Sequence, residues 1–162
     1  MNIELLAENP EYVNCVCSWI YNEFVAVNNP GYAFDKLLGF FGDTHKDKFP
    51  ITYIALEEGI CTGTVSIFEN DLKNQNKLTP WLASLYVCPE YRKLKIAEKL
   101  IGAVVDKVKE LGFDELYLRT EHAAGYYLKR GWEFVYKTLD TNNQETEVYR
   151  LHILKGGYND IL

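Results

Sequence analysis

The sequence predicts an α/β fold, mixed rather than segregated, with elements in the order β, α, α, β, β, β, α, β, α, β, β. Three observations carry that expectation. Apolar residues recur at helical spacing in some stretches, and elsewhere alternate or run on without it. Asn, Gly, Pro and Asp clusters punctuate those stretches at short intervals, with no repeat, low-complexity tract or interdomain linker. The 162 residues are 48% hydrophobic and 25% charged, the make-up of one domain with a real core.

Asn2 to Ala7 is a short apolar run and reads as the first strand. Pro10 opens a helix in which Tyr12 or Val13, Val16, Ile20 and Phe24 recur at helical spacing, with Trp19 alongside. The cluster Asn28-Asn29-Pro30-Gly31 ends it. Ala33 to Phe41 reads as a shorter helix closed near Gly42, its aromatics expected in the core rather than along a cleft. Phe49-Pro50 introduces a strand from Ile51 to Glu57; Glu58-Gly59 turns the chain, and Ile60 to Glu69 returns beside it. Asp71 to Thr79 is polar and reads as a surface loop.

Leu82 to Val87 is almost wholly apolar, which suits a strand covered on both faces, and Pro89 closes it. A long helix is expected to begin near Arg92. Ile96, Leu100, Val104 and Val108 fall every four residues beside Ala97, Ile101, Val105 and Leu111, making one wide apolar stripe. Gly112 stops it in a left-handed conformation. Glu115 to Arg119 is the next strand, Glu121 to Arg130 a short helix, and Gly131 opens a strand from Trp132 to Thr138. Thr141-Asn142-Asn143 turns into a last strand from Thr146 to Leu154. One domain over residues 1–155 and a short tail over 156–162 are expected.

A net charge of −6 and a pI near 5.1 argue against nucleic acid as the main partner and suit a cationic or amine substrate. Cysteines 15, 17, 61 and 88 form no C-x-x-C pair, and Cys15-Val-Cys17 lacks the spacing of a zinc site, so no metal centre is expected. They read as buried, reduced thiols of a cytoplasmic protein. The first residues lack a positive region followed by an apolar core, and no apolar run approaches the roughly 20 residues of a membrane span.

The chemistry is expected where the strand meets the long helix. Arg92, Lys93, Lys95 and Lys99 put four positive charges into eight residues. On a helix Arg92, Lys95 and Lys99 would share a face, at a cost of about 0.2–0.5 kcal/mol per like-charged pair. An anion offsets that cost. A helix N-terminus offers unpartnered N–H groups and about half a positive charge, so a phosphate or pyrophosphate is the natural guest.

Val87, Pro89, Arg92, Lys95 and Ala97, following a buried strand, resemble the acetyl-CoA-binding motif of the GCN5-related N-acetyltransferase (GNAT) family, R/Q-x-x-G-x-G/A. The resemblance implies that the backbone from Arg92 through Lys93, Leu94, Lys95 and Ile96 to Ala97 holds the cofactor's pyrophosphate. Attack of an amine on a thioester builds negative charge on the carbonyl oxygen, and the backbone N–H groups of Leu85, Tyr86 and Val87 at the end of the strand are the candidates to bind it. Lys95 stands where the family usually has glycine; a lysine resists positive φ and predicts a less close backbone approach there.

Leu118 to Trp132 resembles the family's N-x-x-A-x-x-F/Y-Y-x-x-x-G-F segment through Ala123, Tyr126, Tyr127, Gly131 and Trp132, with Thr120 replacing the asparagine. Carried over, Tyr127 is the general acid that returns a proton to the departing thiolate, with Tyr126 the next candidate. Glu23, Glu69, Glu121 and His122 are candidates for the base, and Trp81 either walls the acceptor cleft or fills core. The implied fold is a GNAT-like mixed, mostly antiparallel central sheet of six to seven strands flanked by about four helices. The implied activity is transfer of an acetyl group from acetyl-CoA directly to a primary amine of a small molecule, peptide or protein. The alternative is a catalytically inactive module of the same fold that binds or senses acyl-CoA. Expected partners are the amine substrate and, as an open alternative, a second copy in a homodimer; no nucleic acid, membrane or metal is expected.

Overall fold

The computed structural model describes residues 1–73 and 77–153; the expected tail and the end of the last strand lie outside the described residues. Among the described residues the element order is the one expected, seven strands and four α-helices, and the sheet runs β1 (Asn2–Leu5), β2 (Ile51–Glu57), β3 (Ile60–Phe68), β4 (Trp81–Val87), β5 (Glu115–Thr120), β7 (Glu145–His152), β6 (Glu133–Leu139). The chain divides into two compact units, Met1–Ile67 with Ser84–Ala103, and Phe68–Ala83 with the chain from Val104 on.

In the first unit β1 (Asn2–Leu5) pairs antiparallel with β2 (Ile51–Glu57), Ile3 opposite Ala55. β2 pairs antiparallel with β3 (Ile60–Phe68), Ile54 opposite Thr64. Glu58 and Gly59 both have positive φ (50° and 79°), the conformation a tight hairpin needs. Four hydroxyls are buried on this hairpin and all are partnered: Thr52 with Ser66 at 2.7 Å, Thr62 on the Ala55 carbonyl, Thr64 on the Tyr53 carbonyl. β1 stops at Leu5, not Ala7, because Leu6–Glu8 turn into a 3-10 helix that buries Leu6.

The first helix is three pieces. Pro10–Tyr12 is a 3-10 turn, α1 runs Val13–Ile20, and Tyr21–Val25 is a π-turn in which the Ala26 N–H donates to the Tyr21 carbonyl at 2.7 Å. A π-turn adds a residue to the helical repeat and rotates the side chains after it about the axis. Val16 and Ile20 are therefore buried as expected, while Phe24 is turned outward and 43% exposed. α2 (Phe34–Gly42) buries Leu37 and Phe41 but leaves Phe40 exposed, so its aromatics are only in part core.

In the second unit β5 (Glu115–Thr120) pairs antiparallel with β7 (Glu145–His152), Tyr117 opposite Arg150. β6 (Glu133–Leu139) lies beyond β7, Lys137 opposite Glu147. β4 (Trp81–Val87) meets β5 in parallel at one pair, Trp81 with Tyr117. Trp81 is core: fully buried among Leu72, Tyr117 and Val148, its indole N–H donating to the Leu78 carbonyl.

α3 runs Ile96–Glu110, and its stripe is buried as expected at Ile96, Leu100, Ile101, Val104, Val105 and Val108. Its end is also as expected: Gly112 has φ +89°, with Gly112 N–H on the Lys109 carbonyl and Phe113 N–H on that of Val108. That pair of bonds satisfies carbonyls the last turn would otherwise orphan.

Candidate active site

In the first unit the candidate site is built from Gly63 on β3. A Cβ there would sit 2.9 Å from the Tyr86 carbonyl oxygen and 3.2 Å from a Leu100 methyl, so only glycine lets β4 and α3 come this close. β4 is buried over Trp81–Ala83 and only half-buried over Ser84–Tyr86, a correction to a strand covered on both faces throughout. Ser84 has φ +55°, a left-handed residue inside a strand, and it breaks the extended repeat just before Leu85, Tyr86 and Val87. Trp19 of α1 packs on the Tyr86 ring at 5.3 Å between centroids.

Beyond Val87 the Cys88 N–H donates to the Thr62 carbonyl at 2.8 Å, and Pro89–Tyr91 make a 3-10 turn. Arg92 does not open the helix. Its backbone is extended, its Nε donates to the Val87 carbonyl at 2.9 Å, and its guanidinium lies over the Tyr86 ring at 5.6 Å. Lys93 and Lys95 follow with φ +66° and +62°. Two left-handed residues cannot continue a right-handed helix, which is why α3 starts at Ile96, four residues later than the charge spacing predicts. Of the expected basic helix face only Lys99 is on the helix.

Lys95 thus takes the conformation a glycine would take, against the expectation that its Cβ would resist. Alternation of left-handed with other residues turns successive N–H groups to one side and makes a concavity for anions. The α3 N-terminus adds N–H groups that have no carbonyl partner inside the helix. Lys93, Leu94 and Lys95 are exposed, and Ile96 is buried and anchors the end. A phosphate-bearing ligand fits that arrangement of backbone and cations.

In the second unit Thr120 ends β5, and its hydroxyl accepts the Ala123 N–H at 3.0 Å. The threonine bonds its own backbone three residues on, and the helix α4 (Ala124–Leu128) begins three residues later than expected. Tyr127 is 8% exposed, edge-on to Tyr126 at 5.2 Å and to Trp132 at 5.7 Å. Tyr126 is half-buried, with the Arg130 guanidinium 3.6 Å from its ring centre. Glu121 and His122 are both exposed. With Thr120, Lys137 and Gln144–Glu147 they line an open cleft of about 450 Å³ holding three carboxylates against one lysine. Glu23 and Glu69 are exposed and line no part of it.

Beside that cleft Arg119 reaches three carboxylates: Asp71 at 3.4 Å, Asp140 at 3.5 Å and Glu121 at 3.7 Å. Burial pushes Asp71 up to about 6 despite the pull of Arg119. Sequence reasoning missed this network, Gly63 and the Trp19–Tyr86 pair. A glycine inside the otherwise β-branched run around Thr62 and Thr64 was the available signal for Gly63. Among the described residues no group of three His, Cys, Asp or Glu is placed to hold a metal ion, and no helix is long and apolar enough to cross a membrane.

The model of the acetyltransferase (GNAT) family matches residues 14–132. Among solved structures, an aminoglycoside 6'-N-acetyltransferase complexed with coenzyme A superposes with a TM-score of 0.73 at 15% identity, over 95% of this chain and 98% of that one. A GNAT-family acetyltransferase from Staphylococcus aureus Mu50 gives 0.69 at 20% identity, over 94% and 100%. A spermidine N-acetyltransferase from Vibrio cholerae gives 0.70 at 13% identity, over 100% and 98%. No curated protein matches the sequence. At these identities the structural likeness is one of fold.

Proposed function

The chain belongs to the acetyltransferase (GNAT) family, enzymes that use an acyl-CoA donor, and on that premise we propose that it moves the acetyl group of acetyl-CoA directly to the primary amine of a cationic small molecule or peptide. The observation that carries the reading is the turn between β4 and α3. Its two left-handed lysines, its tie from Arg92 back to Val87 and its helix N-terminus make a seat for a diphosphate.

Acetyl-CoA supplies the acyl group as an activated thioester. The N–H groups of Leu85, Tyr86 and Val87 are the proposed donors to its carbonyl oxygen, where negative charge grows as a neutral amine attacks the carbon. The left-handed φ of +55° at Ser84 supports that role, because it turns the backbone out of the extended repeat just before those donors. The phenol of Tyr127 is the proposed acid that gives the departing sulfur its proton as the carbon–sulfur bond breaks. The three carboxylates of the cleft and the net charge of −6 favour an ammonium-bearing acceptor, which Glu121 or His122 would relieve of its proton. The cytoplasm, where such a donor and four free cysteines coexist, is the proposed location.

The test is to incubate the chain with acetyl-CoA and a panel of spermidine, an aminoglycoside, free lysine and a lysine peptide, following release of free thiol. Amine-dependent release is expected. Thermal stabilisation by acetyl-CoA with no release for any amine would leave the inactive-module reading. No stabilisation by acetyl-CoA would remove the turn as the phosphate seat.

A further inference from the structure

Of the three tryptophans only Trp19 belongs to the first unit, and it does not lie in the core. α1 buries Val16, Cys17 and Ile20 and leaves Trp19 half-buried beside them. There its ring packs on Tyr86 of β4, with 5.3 Å between centroids and 35° between planes. The same Tyr86 ring carries the Arg92 guanidinium at 5.6 Å, and Arg92 Nε donates to the Val87 carbonyl at 2.9 Å. The close approach of Gly63 to the Tyr86 carbonyl fixes the backbone that bears the ring. Trp19, Tyr86 and Arg92 thus form a row of three within one compact unit, and the row ends at the turn between β4 and α3.

We propose that Trp19 is a positioning residue for the acyl donor: it holds the Tyr86 ring where that ring holds Arg92, and so keeps the turn in the shape that seats a diphosphate. The inference rests on the reading of that turn as the acyl-CoA seat. Lys93 and Lys95 both have left-handed backbone, which a lysine adopts only at a cost, so the shape lasts while its first anchor holds. That anchor is Arg92, an exposed side chain with many rotamers to lose. Its bond to Val87 fixes one atom, and the Tyr86 ring fixes the plane of the guanidinium. Tyr86 is itself only half-buried, and Trp19 takes away the freedom its ring would otherwise have. Without Trp19 a smaller fraction of molecules holds the turn ready, and the apparent Kd rises by the inverse of that fraction. An aromatic pair biases the turn by no more than its own strength, which sets the rise at about two- to twelvefold.

Calorimetric titration of the full chain with CoA, which carries the diphosphate but no thioester, reads the seat alone. Trp19→Leu keeps bulk and loses the ring, and should raise the Kd for CoA by that factor; Trp19→Phe should restore most of the parent's value. Val16→Ala, fully buried on the same helix, is the control for lost packing: it should lower Tm and leave Kd unmoved. In an Arg92→Ala background Trp19→Leu should have no further effect on Kd, because Tyr86 has nothing left to hold. A parent that binds CoA and a Trp19→Leu chain that binds it equally well would overturn the role of Trp19 alone. So would a Kd that rises with Val16→Ala, a loss that phenylalanine does not restore, or a loss of the same size in the Arg92→Ala background. A parent that does not bind CoA would overturn the seat itself, and the role of Trp19 with it.

Discussion

Gly63→Ala tests the packing that the proposed thioester site rests on. The new Cβ would meet the Tyr86 carbonyl oxygen at 2.9 Å, a backbone atom with no rotamer to swing away, and a Leu100 methyl at 3.2 Å, which can shift. Contact at 2.9 Å is several tenths of an ångström too close, so β3 and β4 must part by about that much. Overpacking of this kind costs about 1–3 kcal/mol. Replacing glycine recovers about 0.4–1 kcal/mol from the unfolded chain, since Gly63 has no positive φ to defend. The net loss is then about 1–2 kcal/mol, or a fall in Tm of about 2–8 °C for a chain of this size.

The control is Gly102→Ala in the middle of α3, where a Cβ meets nothing within 4 Å. That change should stabilise by about 0.5–1 kcal/mol through helix propensity alone. Scanning calorimetry on the two variants reads the contrast, and initial rates against acetyl-CoA concentration read its consequence. If the N–H groups around Tyr86 hold the thioester, Gly63→Ala should also raise KM for acetyl-CoA or lower kcat, while Gly102→Ala does neither. A Gly63→Ala protein with unchanged Tm and unchanged kinetics would refute both the tight approach and its role.

Three further outcomes are expected. Tyr127→Phe should lower kcat about a hundredfold while leaving KM for acetyl-CoA nearly unchanged, as loss of a general acid does; unchanged turnover would take Tyr127 out of the mechanism. Arg92→Ala with Lys95→Ala removes the tie to the Val87 carbonyl and one cation, and should weaken acetyl-CoA binding at least tenfold by calorimetric titration; an unaltered Kd would mean the turn is not the phosphate seat. Asp71 has a folded-state value of about 6 against an ordinary 3.8, so its contribution to stability is full below about pH 4 and is lost as pH rises through about 6. Two pKa units set a ceiling of about 3 kcal/mol, and the actual figure lies below it because 22% of the side chain still meets solvent. Asp71→Asn should therefore gain on the parent in urea unfolding at pH 7.5 but not at pH 4; a difference flat across that range, or of opposite sign, would contradict this.

What could be read from the sequence was whatever repeats. The stripe of α3 recurs over enough residues that burial follows the period. Single-residue events carried no such mark. Nothing in Tyr21–Val25 announces a π-turn, so Phe24 was placed on the buried face by a period that changes just before it. Nothing in Glu121-His122 shows that the Thr120 hydroxyl takes the Ala123 N–H and delays α4.

The start of α3 shows why residue types could be read there and geometry could not. Spacings of three and four among Arg92, Lys95 and Lys99 are what a helix would produce, yet the same charges serve a turn. A left-handed lysine costs about 1–2 kcal/mol, and a lysine's own preferences never signal it. The conformation persists because both ends of the turn are fixed by something else. Arg92 is held to the Val87 carbonyl on one side, and Ile96 is locked into the core on the other. With three residues left to span that gap, left-handed backbone at Lys93 and Lys95 is what closes it. The anion seat is thus set by two anchors, an arginine bound backwards to its own strand and a buried isoleucine. The charge run supplies only the cations around it.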